Sequence, residues 1–220
     1  MTEPKVKHLK VATKSESKFL DEIAQLVQNA RNAANSAVSS IIVVTNWNIG
    51  RRIVEQEQKG KNRAAYGDRL VELISENLTR KFGDGYGKRN VQYFRKFYLL
   101  FNDFEIVNTC VRNLNWSHFK RLLSVSNDDA RMWYMKEADS QMWPVRTLDR
   151  NISTQYYERL LHSPKKEKVI AEMKRNTKNF QSSQFELIKS PVIAEFLGFH
   201  ANDYTETELE SAILTHIRDF

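Results

Sequence analysis

The stretch FGDGYGKRNVQYFRKFY, residues 82–98, joins a glycine-rich segment to a basic and aromatic one. Its apolar side chains, with one that follows, recur at helical spacing: Val91, Phe94, Tyr98 and Phe101. This spacing predicts a helix from Lys88 to about Phe101 that turns these side chains inward. Gly83 is expected to end an earlier helix, which begins near Gly67, because glycine adopts positive φ without strain. The predicted order of helix, glycine turn and helix is that of a helix–turn–helix motif.

The same glycines would also suit a phosphate-binding loop. Such a loop needs the pattern GxxxxGK[ST] between a strand and a helix. Here Gly87 and Lys88 are followed by Arg89, and the segment before them has helical periodicity. Both the spacing and the context therefore argue against nucleotide binding.

The outward side of the second predicted helix is basic and polar. Four side chains project away from its apolar face: Arg89, Gln92, Tyr93 and Lys96. Arg and Gln near the start of a helix can reach guanine and adenine edges in the major groove of DNA. We expect Lys88 and Arg95 to hold phosphates. An ordinary solvated helix face would carry the same residues, and the sequence leaves both interpretations open.

A second group of basic residues falls on the short helices predicted further along the chain: Lys120, Arg121, Arg131, Arg146 and Arg150. Arg146 and Arg150 are four positions apart and therefore share a helix face. The whole chain has 34 Lys and Arg against 27 Asp and Glu, a net charge of +7 at pH 7. This excess favours an anionic partner, and we expect that partner to be DNA.

A long N-terminal helix is predicted by apolar residues that recur every three or four positions from Phe19 to Val44. The β-branched run IIVVT, residues 41–45, would also suit a buried strand. The apolar face is longer than the short neighbouring helices need. We therefore expect a homodimer that forms through this segment.

The remaining elements are predicted from periodicity and from capping residues. Residues 103–113 are expected to form an irregular connection or a short strand. Helices are predicted in WSHFKRLLSV (116–125), NDDARMWYMKEADSQ (127–141), PVRTLDRNI (144–152), TQYYERLLH (154–162) and KKEKVIAEMKR (165–175). Asn127 is the expected N-cap of the second of these, and Pro144 the expected first position of the third. A linker then leads to a final helix at residues 206–220.

The sequence carries no recognisable catalytic centre. The five histidines lie far apart, and Cys110 is the single cysteine and has no local catalytic signature. A metal-dependent nuclease needs an acidic residue and a D/E-x-K pair on neighbouring strands, and no such arrangement is apparent. His118 is expected to have a structural or capping role. We expect no cofactor, no metal site and no catalysis by the chain as given.

A single cysteine excludes an intramolecular disulfide framework and fits a reducing compartment. The N-terminus lacks the apolar core of a signal peptide, and the longest aliphatic run is too short to span a bilayer. The expected location is the cytoplasm, without membrane association.

Five motifs resemble, in order, the N-terminal domain of YhcG-type proteins of bacteria and archaea: GYGKRNVQYFRKFY, LNWSHFKRLLSV, RMWYMKEA, WPVRTLDRNI and YYERLL. The resemblance implies a helical, winged-helix-like DNA-binding module that normally precedes a PD-(D/E)XK nuclease domain. Two positions depart from the family pattern, which usually has Ser where Gly87 and Pro144 stand here. The first departure removes an N-cap. No nuclease residue can be carried over to this sequence.

These observations together predict a mainly α-helical fold with a helix–turn–helix or winged-helix-like core and a long N-terminal helix. We expect a disordered tail (1–15), a helical YhcG-type domain (16–175), and a linker with the start of a truncated nuclease domain (176–220). The predicted function is DNA binding and positioning for the nuclease, and the alternative is a helical oligomerisation or partner-docking module. The predicted DNA-binding residues are Lys88, Arg89, Gln92, Tyr93, Arg95, Lys96, Lys120, Arg121, Arg146 and Arg150.

Overall fold

A computed structural model describes residues 14–58 and 63–180 of the chain. Within these ranges it contains nine α-helices and no strand: α1 (Lys14–Gln58), α2 (Arg63–Phe82), α3 (Lys88–Leu100), α4 (Phe104–Cys110), α5 (Trp116–Leu122), α6 (Asp128–Ser140), α7 (Val145–Ser153), α8 (Tyr156–His162) and α9 (Lys166–Thr177). The prediction of a mainly α-helical fold is confirmed. The expected helix at 206–220 and nearly all of the expected N-terminal tail lie outside the described residues.

The chain divides into two compact units, Met1–Ala34 and Asn35–Phe220. In the first unit the described residues form the beginning of α1, and we call residues 14–34 the N-terminal arm. Five bulky apolar side chains of the arm, Phe19, Leu20, Ile23, Leu26 and Val27, are between 44% and 65% exposed. None of the helices in the described ranges is both long and apolar enough to cross a membrane.

In the second unit, α1 is fixed by side chains that donate hydrogen bonds to backbone carbonyls far along the sequence. The indole Nε1 of Trp47 donates to the carbonyl of Phe101 at 2.7 Å. The hydroxyl of Ser40 donates to the carbonyl of Val111 at 2.8 Å. Both carbonyls lie where a helix has just ended, so these bonds satisfy acceptors that have no partner within their own helix.

Helices α1 and α3 are in close backbone contact at Gly50. A Cβ atom at this position would lie 2.0 Å from the carbonyl oxygen of Phe94 and 3.0 Å from the Cβ of Tyr98. Such distances are far below van der Waals contact, so the two backbones can approach this closely only because residue 50 is glycine.

Helix α2 completes this part of the core. Ile53 of α1, Val71 of α2 and Val91 of α3 form a buried cluster, and Ile49, Leu70 and Ile74 pack around it. The inward turn of Leu70 and Ile74 agrees with the apolar spacing of α2. Phe82, at the end of the same helix, is 58% exposed.

The centre of the second unit is aromatic. Phe97 of α3 contacts Trp116 and Phe119 of α5, with ring centroids 5.3 and 4.9 Å apart. Phe101 packs edge-on against Phe119. The prediction of the inward residues of α3 was incomplete. It omitted Phe97, which is fully buried, and included Tyr98, which is only half-buried.

A second aromatic cluster joins α6 and α8. Trp133 of α6 lies 5.4 Å from Tyr157 and 5.8 Å from Tyr156 of α8, measured between ring centroids. The hydroxyl of Tyr134 donates to the carbonyl of Asn151 and accepts from the backbone N–H of Tyr157. Burial raises the pKa of this hydroxyl to about 12, so it stays protonated and can act as a donor.

One expectation for local structure was wrong, and one alternative is excluded. The segment predicted as irregular or a strand contains α4, whose N-cap Asp103 accepts a hydrogen bond from the N–H of Glu105 and whose buried residues include Val107 and Cys110. Residues 41–45, for which the sequence left helix and strand open, are helical, and Ile42 and Val43 among them are buried in the core. In both places β-branched residues suggested a strand, and burial overrode that weak preference.

Candidate nucleic-acid interface

The turn between α2 and α3 is shaped by its glycines. Gly83 ends α2 with φ 94°, a conformation that side chains disfavour, and its N–H donates to the carbonyl of Thr79 at 2.9 Å. A single 3₁₀ turn, Asp84–Tyr86, follows. Asn90 of α3 donates from Nδ2 to the carbonyl of Gly85 at 2.8 Å, which fixes the turn to the helix it precedes.

Helix α3 begins without a capping side chain. Gly87 is the N-cap residue, with φ −56° and ψ 158°, and makes no side-chain cap hydrogen bond. The N–H groups of the first helical turn are therefore without the usual side-chain acceptor.

We expect Gly87→Ser to stabilise the protein by about 0.2–0.5 kcal/mol, because serine can adopt this conformation and its hydroxyl can accept from the first turn. A Cβ atom at residue 87 would lie 3.5 Å from the carbonyl oxygen of Asp84, an ordinary contact. Urea denaturation followed by circular dichroism measures the change. Gly87→Ala, which adds the Cβ without the hydroxyl, is the control, and a serine variant no more stable than this control would contradict the expectation.

The N-terminal half of α3 presents its basic and polar face to solvent. Arg89, Gln92 and Lys96 are exposed, while Tyr93 is half-buried. The Nε of Arg89 donates to the hydroxyl of Tyr93 at 3.2 Å, and the guanidinium carbon lies 5.6 Å from the Tyr93 ring centroid. These contacts hold the Arg89 side chain along the helix surface, which lowers the entropy lost if the guanidinium binds a ligand.

Two other predicted phosphate contacts are paired with acids of neighbouring helices. The Nζ of Lys88 lies 3.1 Å from Oε1 of Glu72 on α2, and both side chains are more than half exposed. The Nε of Arg95 lies 2.8 Å from both carboxylate oxygens of Glu57 on α1, whose side chain is only 10% exposed. Arg95 thus fixes α3 to α1, and any contact of Arg95 with DNA remains a prediction.

The second basic group lies on α5 and α7, which pack against each other. Arg146 and Arg150 are exposed and one helical turn apart on α7. The Nε of Arg121 on α5 lies 3.4 Å from Oδ1 of Asp149 on α7, with both side chains about half exposed. Lys120 is half-buried.

Arg131 does not belong to this surface. Its side chain is 3% exposed, donates to the carbonyl of Val125 and to Asp128, and lies over the ring of Phe101. The sequence analysis grouped Arg131 with surface residues because the sequence did not show which face of its helix is buried. Its role is to hold α6 against the end of α3.

The structure therefore brings the predicted residues together in two groups. The first comprises Lys88, Arg89, Gln92, Tyr93, Arg95 and Lys96 on α3. The second comprises Lys120, Arg121, Arg146 and Arg150 on α5 and α7. Sequence reasoning missed the acids Glu57, Glu72 and Asp149, which pair with residues of these groups. No local signal identifies them, because each pair joins residues of different helices.

His118 has the structural role expected from the sequence. It forms a capping box with Asn115, whose Oδ1 accepts from the N–H of His118 while Nδ1 of His118 accepts from the N–H of Asn115. Its Nε2 lies 2.8 Å from the carbonyl oxygen of Trp143. Burial lowers the pKa of the ring from 6.5 to about 4. The ring is thus neutral at pH 7, with the proton on Nε2 because a carbonyl can only accept.

Within residues 14–58 and 63–180, no three His, Cys, Asp or Glu side chains cluster closely enough to hold a metal ion. Cys110 is buried, and burial raises the pKa of its thiol, which disfavours the reactive thiolate.

Residues 22–159 match a protein family described as the DUF1016 N-terminal domain. The chain is also 34% identical, over 229 aligned residues, to a protein of Escherichia coli (strain K12) named "Putative nuclease YhcG". That alignment covers 91% of this chain, which spans 60% of the length of the relative. No solved structure matches significantly.

Proposed function

Because the chain belongs to the family of the DUF1016 N-terminal domain, we propose that it binds duplex DNA and positions a nuclease upon it. The observation that carries the proposal is α3. Its inner face is anchored in the core by Val91, Phe94 and Phe97, while its outer N-terminal face presents Arg89, Gln92 and Lys96 to solvent. A rigid helix with exposed Arg and Gln near its start is the element that reads base edges in helix–turn–helix proteins.

The packing of α2 on α3 and the short turn between them support the helix–turn–helix interpretation. Helix α2 packs on α3, and the two are separated by Gly83, one 3₁₀ turn and Gly87. In this proposal α3 enters the major groove, with Arg89 and Gln92 nearest the bases. The described residues contain no strand, so the proposal needs α2 and α3 and no β-wing.

Charge on the surface supports the same proposal. Lys96 is exposed on α3 and suits a phosphate contact beside the groove. Arg146 and Arg150, exposed on one face of α7, suit a second stretch of phosphate backbone. Lys88 and Arg121 are partly neutralised by Glu72 and Asp149, so we expect them to contribute less.

Only the similarity to the Escherichia coli relative supports the nuclease part of this proposal. The name of that relative describes a nuclease, and this chain spans 60% of its length. The described residues supply neither a metal-binding cluster nor a reactive cysteine. We therefore assign binding and positioning to them, and assign no step of phosphodiester cleavage to any of their side chains.

The test is titration of fluorescently labelled duplex DNA at several salt concentrations. Arg89→Ala should weaken binding to a preferred site by roughly 1–3 kcal/mol and reduce sequence preference, since a bidentate contact to guanine is lost. Lys96→Ala should weaken binding to all sequences alike and reduce the slope of log K against log salt by about one. Neither residue is buried, so circular dichroism should show both variants folded.

Lys174→Ala is the matched control, because it removes one exposed positive charge from α9, far along the chain from α3. It should bind as the parent does. If Arg89→Ala and Lys96→Ala also bind as the parent does, the α3 face is only solvated and the DNA-binding proposal fails. The remaining function would then be a partner-docking module.

A further inference from the structure

The apolar positions of the N-terminal arm have an unusual symmetry. Those of its main apolar face are Phe19, Leu20, Ile23, Leu26, Val27, Ala30, Ala33 and Ala34, while Ala24 lies beside this face. Their spacing is the same when counted from either end, about a midpoint between Leu26 and Val27. At about 100° per residue all eight fall on one face of the helix. Polar residues such as Gln25 and Gln28 lie on the opposite face.

The two halves of this face differ in size. The first half carries four of the five bulky side chains, with Val27 just past the midpoint, and all five are 44–65% exposed. The second half carries three alanines, of which Ala30 and Ala33 are exposed and Ala34 is half-buried. The large side chains of the first half therefore project from the helix, and the alanines of the second half leave space in which such side chains can pack.

We propose that the arm pairs in antiparallel orientation with the arm of a second copy of this chain. Antiparallel pairing about the midpoint places Phe19 and Leu20 over Ala33 and Ala34 of the partner. Ile23 then meets the partner's Ala30, and Leu26 meets the partner's Val27. Each layer combines large and small side chains, as close helix packing requires. A parallel pair would instead stack bulky on bulky and alanine on alanine.

The apolar face of the arm lacks a partner within its own unit. The arm is the beginning of α1, and among the described residues its unit contains no strand or second helix that could cover this face. Antiparallel pairing of the two faces would bury on the order of 1,000 Å² in total, at the lower limit of specific interfaces. The proposal does not depend on DNA binding.

The orientation is tested by disulfide cross-linking between two variants that each carry one added cysteine. Phe19→Cys and Ala34→Cys are made in separate chains, one carrying a size tag, and are mixed and mildly oxidised. Antiparallel pairing brings these positions within the distance that a disulfide needs, so we expect a mixed disulfide between the two chains. Phe19→Cys alone should not cross-link to itself. The parent, whose Cys110 is buried, is the blank.

Association itself is measured by light scattering. The parent should be a dimer, and Ile23→Asp with Leu26→Asp should be a monomer. Gln25→Asp with Gln28→Asp is the matched control, because it adds the same charge on the opposite face of the arm, and it should remain dimeric. A monomeric parent, a dimer unaffected by the Ile23 and Leu26 changes, or self-linking of Phe19→Cys would each overturn the proposal. The cross-link remains decisive even if the Asp variants lose helix content.

Discussion

Gly50→Ala should destabilise the protein by about 3 kcal/mol or more, at the upper end of what overpacking a core costs. The added methyl would lie 2.0 Å from the carbonyl oxygen of Phe94 and 2.8 Å from its carbonyl carbon. These are backbone atoms of α3, so no side-chain rotation can relieve the clash. Helices α1 and α3 would have to separate, which would also disturb the buried cluster around Ile53 and Val91.

The expected loss of stability is opposite in sign to the usual effect of replacing glycine by alanine in a helix, so the result of this test is easy to interpret. Within a helix, replacing glycine by alanine normally stabilises by roughly 1 kcal/mol. Urea denaturation of the variant against the parent measures the difference in the free energy of unfolding. Gly87→Ala is again the control, since its Cβ meets only the carbonyl oxygen of Asp84 at 3.5 Å. A Gly50→Ala variant as stable as the parent would mean that α1 and α3 are not in close contact.

The second large effect is a loss of stability in mild acid that comes from His118. Its pKa falls from 6.5 to about 4 on folding, because burial penalises the imidazolium more than the carbonyl of Trp143 favours it. The folded protein therefore binds this proton less readily than the unfolded chain. The contribution to stability is complete above pH 6.5 and is lost as the pH falls towards 4. For a shift of this size the loss is roughly 3 kcal/mol.

The measurement is the free energy of unfolding between pH 7.5 and pH 4.5. Carboxylates also titrate in this range, so the comparison is with His118→Gln, whose side chain does not ionise. The glutamine variant should be less stable at pH 7.5 but should lose less stability on acidification. His162→Gln, at an exposed position of α8, should keep the acid dependence of the parent. Equal slopes for the parent and His118→Gln would contradict the assignment.

Much of the fold follows from local sequence signals. The end of α2 at Gly83, the start of α3 at Lys88 and the N-cap Asn127 of α6 were all predictable, because each depends on residues within one turn. Helix α4 was not, because it is short and its β-branched residues resemble a strand. The N-cap Asp103 was the signal that could have identified it.

The candidate site could be predicted only in outline. The exposed face of α3 follows from helical periodicity, since Arg89, Gln92 and Lys96 lie opposite the buried residues. The pairing of Arg95 with Glu57 does not, because these residues are brought together by the packing of α1 on α3. The need for glycine at position 50 likewise depends on how close two helices lie, and no local pattern encodes that distance.

The two aromatic clusters have a consequence for spectroscopy. All four tryptophans, Trp47, Trp116, Trp133 and Trp143, belong to the unit Asn35–Phe220, and the N-terminal arm contains none. Intrinsic fluorescence therefore reports on that unit alone, whereas far-ultraviolet circular dichroism also records the helical signal of the arm. Following both signals through one thermal melt separates the two units without a label. If the arm unwinds first, ellipticity will fall at temperatures where the tryptophan emission maximum has not yet moved.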